Sequence, residues 1–531
     1  MKNQSLRPLP RIWMALISAA LGGVLFDMAS PALALWPLAF PAIFLILLAQ
    51  WGRGFWAGAA LGAVSGASFW LLHISWLTLY LGVVPWAALS GIMIFWWSLF
   101  GGLTAMTTTQ LSRVLDGHPG WSGTLLPVAV ATLWIARETL AGSWPYGGFA
   151  WGRAALTQSE SPFASLVSWV GFTGMSAIMV GLVAWFIQSW LSHRGAASYR
   201  RAAFQLLPVL TLAVMAIIPP YQLAVTGHTR VAAVQGNSDS GIFSGHSRAQ
   251  NLNDHYKASL PLVGQNLDLV VWPENASDID PLRASDAAAT LDDLSRRLDA
   301  PLVVGAITTE NDEYFNSSLV WRVGRGVIGQ YDKKHPVPFA EYMPNREFFH
   351  LFAPDLVDLV QLEYTPGTRP TTIDISGTRV GLSICFDIVD DSLAQEMVDE
   401  GAEFILAQTN NADFGRTDES VQQLAIARLR AVETGRAVVN ISTVGTSAMI
   451  APGGHTIESL PAHTVGHMVQ DIPRVVGSTP AMIIGSGLTL VLNAIGYIAA
   501  LVSIVVAIFY RFSRSRTRYS DKESGPPSSA A

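Results

Sequence analysis

Long uninterrupted apolar segments are the feature that most limits the folds open to this chain. A membrane-spanning helix needs about 20 mostly apolar residues, and eight segments of roughly that length occur among the 531 residues. Their approximate bounds are 11–29, 31–50, 55–80, 84–110, 124–142, 166–191, 203–224 and 481–510. We therefore expect a polytopic α-helical membrane protein with about eight spans, seven of which precede a long water-facing insertion.

Charge divides the chain into three regions. Residues 1–228 carry a net charge of +6, residues 229–473 a net charge of −16 and residues 474–531 a net charge of +4. We therefore predict an N-terminal membrane region, then a soluble domain at 229–473, then a final span with a basic tail. The total charge of −6 and the absence of a basic face in the sequence argue against nucleic acid as a partner.

Basic residues indicate which side of the membrane each end occupies, because short connections rich in Lys and Arg stay in the cytoplasm. They occur near the N-terminus, at Arg53, between the sixth and seventh spans and in the tail, although Arg113 and Arg153 blur the alternation. Both termini are therefore expected in the cytoplasm. Seven preceding spans then place residues 229–473 on the outer side.

Short apolar runs alternate with helix-like segments in the middle region. Strands are predicted at Arg230–Gln235, Leu267–Trp272, Leu302–Ile307, Val380–Cys385, Phe404–Gln408 and Ala437–Ser442. Helices are predicted near 284–298, 391–401 and 418–434. The alternation predicts an α/β domain with substantial sheet, in which functional side chains follow strand ends.

Reactive side chains stand at three places in the middle region. Glu274 comes directly after an apolar run that ends at Pro273, Lys333 lies in a proline-containing loop and Cys385 ends a third apolar run. Taken singly, each has a plain alternative: a solvated carboxylate, an ordinary polar loop and an inert buried cysteine. Together they can perform nucleophilic catalysis. A carboxylate takes the thiol proton, the thiolate attacks a carbonyl and an ammonium stabilises the oxyanion.

Other chemistries lack their motifs in this sequence. No G-x-S-x-G pattern supports a serine hydrolase. His463 and His467 are four residues apart, but no H-E-x-x-H motif or neighbouring cysteine accompanies them as in a zinc site. Neither a P-loop nor a Rossmann fingerprint is present. We therefore expect no metal and no cofactor.

The order Glu274, Lys333, Cys385, in the segments VVWPEN, YDKKHPVPFAEYMP and LSICFD, resembles the carbon–nitrogen hydrolase (nitrilase) superfamily. The resemblance implies an αββα sandwich with a Glu-Lys-Cys triad. Glu274 would be the general base, Lys333 the oxyanion stabiliser and Cys385 the nucleophile, with Glu341 as a supporting acid that orients the lysine. With seven spans before the domain and one after it, residues 10–510 resemble the bacterial apolipoprotein N-acyltransferase family.

That resemblance implies a reaction in two steps. Cys385 would take an acyl chain from a membrane phospholipid as a thioester, and the α-amine of the diacylglyceryl-Cys of a lipoprotein would then receive it. It also implies a multi-pass protein of the bacterial inner membrane whose catalytic domain is extracytoplasmic; we expect it to be a monomer. Two alternatives remain open: a membrane-bound nitrilase-like amidase and a non-catalytic lipid-binding membrane protein.

Five further residues are candidate substrate contacts: Asp387, Trp151, Phe348, Phe349 and Arg137. Trp151 lies in a segment that, with Trp76, resembles aromatic motifs of the family. The two phenylalanines belong to an aromatic stretch just after Glu341, which we interpret as a mobile arm that admits lipid tails. Arg137 lies within a span, where it either pairs locally with Glu138 or contacts a lipid headgroup.

The match to the family is not complete. The family usually has Leu at Pro336, Gly at Ala340 and Pro at Ala150, and often has Glu at Asp387. Asp387 is one methylene shorter than the Glu that is frequent at its position. Pro336 and Ala340 lie in the loop that carries Lys333. These differences leave the triad intact, so an active enzyme is expected. The segment Thr409–Arg416 and the Gln-Gln-Leu-Ala-x-Ala-Arg stretch that follows it also match.

Overall fold

The computed structural model describes residues 11–523 except 81, 117, 193–197, 239 and 242–246. Lys2, Arg7 and Arg194, which contribute to the predicted sidedness, lie outside the described residues, as does the end of the predicted tail.

Apolar helices form the membrane region. Six of the described helices are long and apolar enough to cross a membrane: Ile12–Ala29, Phe55–His73, Val83–Val114, Trp121–Ala141, Pro162–Leu191 and Pro480–Phe512. Two shorter apolar helices, Trp36–Gln50 and Leu206–Met215, stand at the predicted second and seventh spans. The predicted polytopic helical architecture is confirmed, with two segments shorter than a full span.

The described elements are numbered in chain order. The helices are α1 (Ile12–Ala29), α2 (Ala39–Gln50), α3 (Phe55–His73), α4 (Leu77–Tyr80), α5 (Val83–Val114), α6 (Pro119–Ala141), α7 (Val167–Ser192), α8 (Ser198–Met215), α9 (Gln250–Ser259), α10 (Ser285–Leu298), α11 (Arg346–His350), α12 (Pro354–Val357), α13 (Asp391–Asp399), α14 (Glu419–Thr434) and α15 (Pro480–Glu523). The strands are β1 (Ala224–Gln235), β2 (Leu269–Val271), β3 (Leu302–Glu310), β4 (Glu313–Arg322), β5 (Gly326–Asp332), β6 (Thr372–Ile375), β7 (Thr378–Ile384), β8 (Phe404–Thr409), β9 (Val438–Ser442), β10 (Ser447–Ile450), β11 (Thr456–Leu460) and β12 (Gly466–Val476).

The start of α1 and the end of α15 lie on the same face of the membrane bundle. His73 at the end of α3 lies 3.0 Å from Asp27 near the end of α1, and its carbonyl accepts a hydrogen bond from Gln422 of α14. At the opposite face, the N–H of Gly52 donates to the hydroxyl of Thr108 in α5. Since α15 leaves the soluble domain directly after β12, the start of α1 and the end of α15 both lie away from that domain.

Two six-stranded sheets pack face to face in the described part of the soluble domain. Their strand orders are β12-β1-β2-β3-β4-β5 and β11-β10-β9-β8-β7-β6. Side chains alternate between faces, so Leu269 and Val271 of β2 pack between the sheets while Val270 packs outward with residues of α10. Helices α9 and α10 cover the first sheet, and α13 and α14 cover the second. The predicted αββα sandwich is confirmed.

The sequence patterns locate only half of this sandwich. Strands β4, β5, β6, β10, β11 and β12 were not predicted. They are joined in antiparallel pairs, and β5, β6, β11 and β12 form the sheet edges. Such strands need no continuous apolar run, because one face or edge meets water. The sandwich begins at Ala224 and ends at Val476, so it extends beyond the predicted 229–473 on both sides.

Helix α14 lies between the second sheet and the membrane bundle, and nearly all of its residues are buried. The side-chain oxygen of Gln422 accepts hydrogen bonds from the indole N–H groups of Trp76 (3.0 Å) and Trp151 (2.7 Å). Its amide group donates to the carbonyl of His73 (3.0 Å). Because a buried amide needs such partners, these three bonds hold the sandwich on the bundle.

An ionic network makes a second connection between the membrane bundle and the sandwich. Arg153, which follows α6, donates to both carboxylate oxygens of Asp391 at 2.8 Å. Arg430 of α14 donates to the same carboxylate (2.5 Å) and pairs with Glu433. Glu433 also accepts the N–H of Phe172, which follows the kink in α7 (3.3 Å). The network ties α7 and the 150–158 segment to the loop that follows Cys385.

Gly305 of β3 permits a close approach that positions Glu274. A Cβ atom at this glycine would lie 2.3 Å from the Pro273 carbonyl oxygen and 2.7 Å from the Cα of Glu274. We expect Gly305→Ala to lower the free energy of unfolding by about 1–3 kcal/mol, because the loop must shift to admit the methyl group. Thermal unfolding in detergent measures this. At Gly453 the nearest atoms would be 3.7 Å away, so Gly453→Ala is the control, and equal melting of both variants contradicts the prediction.

Candidate active site

Glu274 lies in the loop that follows β2, and its side chain is almost entirely buried, with 4% exposure. Its Oε1 accepts a hydrogen bond of 2.7 Å from the side-chain amide of Asn316 in β4. Burial raises the pKa of Glu274. Lys333 opposes the rise and Glu341 adds to it, so the pKa stays above its ordinary value. A carboxyl group with a raised pKa is a better proton acceptor for a weak acid such as a thiol.

Lys333 follows the last residue of β5 and is 1% exposed. Its Nζ lies 2.8 Å from Oε2 of Glu341 and 3.6 Å from Oε1 of Glu274. Burial alone would lower the pKa of Lys333, but the two carboxylates outweigh it and hold the pKa well above its ordinary value. The side chain is therefore a fixed buried cation.

Asn316 connects the two carboxylates, and sequence reasoning missed it. Its side-chain amide donates to Glu274 (2.7 Å) and to Glu341 (3.0 Å). Its backbone carbonyl accepts a hydrogen bond from the backbone N–H of Lys333 (2.8 Å). Glu341 also accepts the N–H of Val337 (2.6 Å), which closes the loop after the lysine. The polar run around Asn316 gives no apolar periodicity, so β4 and its contribution to the site were not predicted.

Cys385 stands at a sharp turn between β7 and a short 3₁₀ helix, Cys385–Val389. The predicted strand Val380–Cys385 thus ends one residue earlier, at Ile384. Cys385 has a φ of 51°, a conformation that is costly for a residue other than glycine. Its side chain is half-buried. Burial and Glu274 raise the pKa of the thiol, and Lys333 only partly offsets them, so the resting group is the neutral thiol.

Asp387 was predicted as a possible substrate contact. Its carboxylate is fully buried and accepts hydrogen bonds from the hydroxyl of Tyr331 (2.8 Å) and the backbone N–H groups of His335 (3.1 Å) and Ile384 (3.3 Å). Burial raises the pKa of Asp387 although its neighbours lower it. The residue connects the loop of Lys333 to the turn at Cys385, and its contact with substrate stays a prediction.

Trp151 and Arg137 were predicted as substrate contacts, but both are buried and have partners within the protein. The Trp151 ring stacks on Phe386, with centroids 6.1 Å apart, and its N–H is bound to Gln422. The Arg137 guanidinium lies 4.2 and 4.0 Å from the ring centroids of Trp97 and Trp134. Arg137 also lies 3.7 Å from Glu138, the local pair that the sequence allowed. The roles of Trp151 and Arg137 as substrate contacts stay predictions.

Phe348 and Phe349 lie on α11, in a segment that we call the 345–353 arm. Phe348 is 56% exposed. The Phe349 ring contacts Phe339 and Tyr146, with centroids 5.0 and 6.2 Å apart, and the hydroxyl of Tyr146 accepts a hydrogen bond from Asn345 (2.9 Å). Since Tyr146 follows α6, the arm rests on the end of a membrane helix.

A cavity of 460 Å³ separates the ends of α6, α7 and α15 from the catalytic loops. Its walls include Thr139, Thr173 and Thr489 of those helices and, opposite them, Lys334 and Phe386. Phe386 is the neighbour of Cys385, so the cavity reaches the turn that carries the thiol. Within the described ranges, no group of three or more His, Cys, Asp or Glu side chains is placed to hold a metal ion.

Comparison with known proteins follows the same division of the chain. Residues 230–481 match the carbon–nitrogen hydrolase family, and residues 22–185 match the apolipoprotein N-acyltransferase N-terminal domain. The apolipoprotein N-acyltransferase of Mycolicibacterium smegmatis is 31% identical, over 93% of this chain and 85% of that protein. The chain belongs to the apolipoprotein N-acyltransferase family.

One more distant relative agrees with that membership. The apolipoprotein N-acyltransferase of Vibrio parahaemolyticus is 25% identical, over 88% of this chain and 93% of its own length. A solved structure, a mutant of an amidase from Nesterenkonia AN1 in the nitrilase superfamily, aligns with 47% of this chain and 93% of its own, with 18% identity and a TM-score of 0.36. The resemblance inferred from the sequence motifs is confirmed at the level of the family.

The charges around the thiol predict opposite effects of two substitutions. Glu341→Gln removes a negative charge that raises the pKa of Cys385, whereas Lys333→Met removes the cation that lowers it. At a fixed pH we expect alkylation by iodoacetamide to become about 3–10-fold faster in the first variant and slower by a similar factor in the second. Because Cys385 is the only cysteine in the sequence, mass spectrometry of the whole chain reports its rate alone.

The unfolded proteins provide the control, since the three chains should react equally in denaturant. Folding of each variant is checked by thermal unfolding, because Lys333→Met leaves two buried carboxylates without their cation. Equal rates in the folded proteins, or a change in the same direction in both, would contradict the electrostatic account.

Proposed function

We propose that this chain is an apolipoprotein N-acyltransferase with Cys385 as its nucleophile. The observation that carries the proposal is a buried lysine paired with Glu274 and Glu341 beside the only cysteine, on a sandwich fixed to a membrane bundle. The relatives from Mycolicibacterium and Vibrio, both named apolipoprotein N-acyltransferase, support it. The acyl donor is a membrane phospholipid, the acceptor is a diacylglyceryl-lipoprotein, and the enzyme acts as a monomer.

In the first step the thiol attacks an ester carbonyl of the phospholipid. Glu274 takes the thiol proton as the C–S bond forms, and Lys333 stabilises the negative charge that develops on the carbonyl oxygen. The ester C–O bond then breaks, and the departing oxygen of the lysophospholipid receives the proton from Glu274. The product is a thioester of Cys385.

In the second step the neutral α-amine of the diacylglyceryl-cysteine attacks the thioester. A C–N bond forms, the C–S bond breaks and its electron pair returns to sulfur. The proton lost by the amine passes through Glu274 to the thiolate, which restores the resting enzyme. The same site with water in place of the amine would be a hydrolase, which is the amidase alternative.

We propose that the sandwich faces the outer side of the bacterial inner membrane and that both termini are cytoplasmic. Arg53 and Arg113 lie at the face of the bundle away from the sandwich, where basic residues indicate the cytoplasm. Arg153 lies on the sandwich side, but its charge is paired with Asp391. The ion pair with Asp391 thus explains why a basic residue lies in a loop on the outer side.

The 345–353 arm supplies an apolar path for the acyl chains. Phe348, Leu351 and Phe352 are 56%, 80% and 73% exposed, on a segment that follows the loop of Glu341 and rests on Tyr146. Apolar side chains this exposed are favoured beside a lipid surface. Phe348 and Phe349 therefore act as lipid contacts in this proposal.

The acyl-enzyme is the species that tests the proposed function. Incubation with a phospholipid labelled in its acyl chain should give a protein-bound label that hydroxylamine releases, because thioesters are labile to this nucleophile. Cys385→Ala should carry no label, and Glu274→Gln should acquire it at least about 100-fold more slowly. Gel fluorescence before and after hydroxylamine treatment measures the label.

Adding an acceptor peptide distinguishes the proposed acyltransferase from an amidase and from a lipid-binding protein. With a diacylated lipopeptide, the label should move to the peptide amine, whereas an amidase would release free fatty acid and leave the peptide unlabelled. A folded wild-type protein that binds phospholipid but never gains hydroxylamine-labile label would be a lipid-binding protein, and the proposal would be wrong.

The arm can be tested apart from the chemistry. We expect the double substitution Phe348→Glu and Phe352→Glu to slow acyl-enzyme formation from phospholipid vesicles by about tenfold or more, because charges are costly at a lipid surface. Alkylation of Cys385 by iodoacetamide should not change. Leu282→Glu, at an exposed leucine before α10, is the matched control. An arm variant that acylates at the wild-type rate would contradict this role.

A further inference from the structure

Two family segments, Thr409–Arg416 and α14, have no part in the mechanism above. Gln423 of α14 lies on the face of that helix turned toward the nucleophile, whereas its neighbour Gln422 faces the membrane bundle. The side-chain nitrogen of Gln423 is 3.5 Å from the sulfur of Cys385, within hydrogen-bond distance for sulfur, and the residue is 2% exposed. An amide is thus held against the reacting atom.

The orientation of that amide is fixed by Asn411. The side-chain nitrogen of Asn411 donates to Oε1 of Gln423 (3.0 Å) and to Oε2 of Glu419 (2.7 Å). Its oxygen accepts a hydrogen bond of 2.6 Å from the Ser442 hydroxyl, and that hydroxyl also accepts the N–H of Gly445. Turning Gln423 over would set its nitrogen against the nitrogen of Asn411, and turning Asn411 over would set its oxygen against the oxygens of Gln423 and Glu419. Gln423 therefore presents N–H, not oxygen, to the sulfur.

We propose that Gln423 is a catalytic residue that donates a hydrogen bond to the sulfur of Cys385 and stabilises its thiolate in both half-reactions. The inference rests on the proposed function, in which Cys385 is the nucleophile. Sulfur carries negative charge as its proton moves to Glu274 and again when the C–S bond of the thioester breaks. A donor aimed at an atom where charge develops lowers the barrier.

A neutral donor is valuable here because anions outnumber cations around the sulfur. The carboxylates of Glu274 and Glu341 both raise the pKa of Cys385, and Lys333 alone opposes them. The Nζ of Lys333 lies 2.8 Å from Oε2 of Glu341, so the charge of the lysine is shared with that carboxylate and does not serve the thiolate alone. An amide N–H favours the thiolate without adding charge to the site.

Asn411 and Glu419 act through Gln423 and are positioning residues. Burial raises the pKa of Glu419 to about 8, against the hydrogen bond from Asn411, and the charge of Glu274 adds to the rise. Glu419 therefore stays largely protonated at neutral pH and adds little negative charge near the sulfur. A protonated carboxyl still has an acceptor oxygen for Asn411, so the orientation of Gln423 is retained.

Gln423→Leu tests the donor, because leucine fills the space and cannot donate. We expect the pH profile of Cys385 alkylation by iodoacetamide to shift upward by about one pKa unit, which makes alkylation about tenfold slower at a fixed pH below the pKa. Acyl-enzyme formation should slow by a similar factor, with KM for phospholipid unchanged. The titratable groups that face the sulfur stay the same in this variant: Glu274, Lys333, Glu341 and Glu419.

Asn411→Leu is the second variant, and it leaves Gln423 in place and adds no charge near the sulfur. A leucine cannot donate to Gln423, so the glutamine amide is no longer held with its N–H toward the sulfur, and the alkylation profile should shift in the same direction by a smaller amount. Gln395→Leu removes a glutamine of α13 that donates to Asp399 outside the site and should leave the profile unchanged. Thermal unfolding identifies any variant that fails to fold.

The outcomes separate this inference from the proposed function. Upward shifts in Gln423→Leu and Asn411→Leu, with Gln395→Leu unchanged, support the donor. Folded variants that acylate slowly but keep the wild-type alkylation profile would overturn it, because Gln423 would then only pack against the site. A wild-type protein without acyl-enzyme would overturn the proposed function, while the alkylation profiles would still decide whether Gln423 donates to the sulfur.

Discussion

Helix α14 is buried on both sides, and the placement of the nucleophile above the membrane depends on that helix. Two adjacent residues of the helix face opposite ways, since Gln422 binds groups of the membrane bundle and Gln423 contacts Cys385. About two to three turns further along the helix, Arg430 and Glu433 join α7 to the loop after the cysteine. Because each of these groups is buried and hydrogen-bonded, sliding the sandwich on the bundle would leave polar atoms without partners. The thiol is therefore held at a fixed height relative to the helices.

Charge in the site is arranged for proton transfer and not for a standing thiolate. Burial and then the charge of Glu274 hold the pKa of the thiol well above its ordinary value, and the one ammonium, which two carboxylates share, only partly offsets them. The same surroundings raise the pKa of Glu274. A base of raised pKa and an acid that stays protonated are suited to exchange a proton during attack. A neutral resting thiol is also less open to oxidation, which matters for the only cysteine in the chain.

Residues that stand in local sequence patterns were found from the sequence, and residues that act through side-chain contacts across the fold were not. Glu274 and Cys385 stand at the ends of apolar runs, and Lys333 and Glu341 lie in one proline-containing loop. Asn316 lies in a polar strand without periodicity, and its link to two carboxylates exists only once β4 pairs with β5. Trp151 and Arg137 show a related limit, because their buried partners Gln422 and Trp97 are distant in the sequence.

Asp387 shows how a departure from the family pattern is accommodated. Its short carboxylate is reached by the hydroxyl of Tyr331 and by backbone N–H groups on both loops, at His335 and Ile384. Backbone donors can approach a buried acid closely, so the position of the two loops satisfies this short carboxylate. The bonds to His335 and Ile384 fix the loop of Lys333 relative to the turn of Cys385. The distance between the ammonium and the thiol, on which oxyanion stabilisation depends, is thus set by a residue that touches neither.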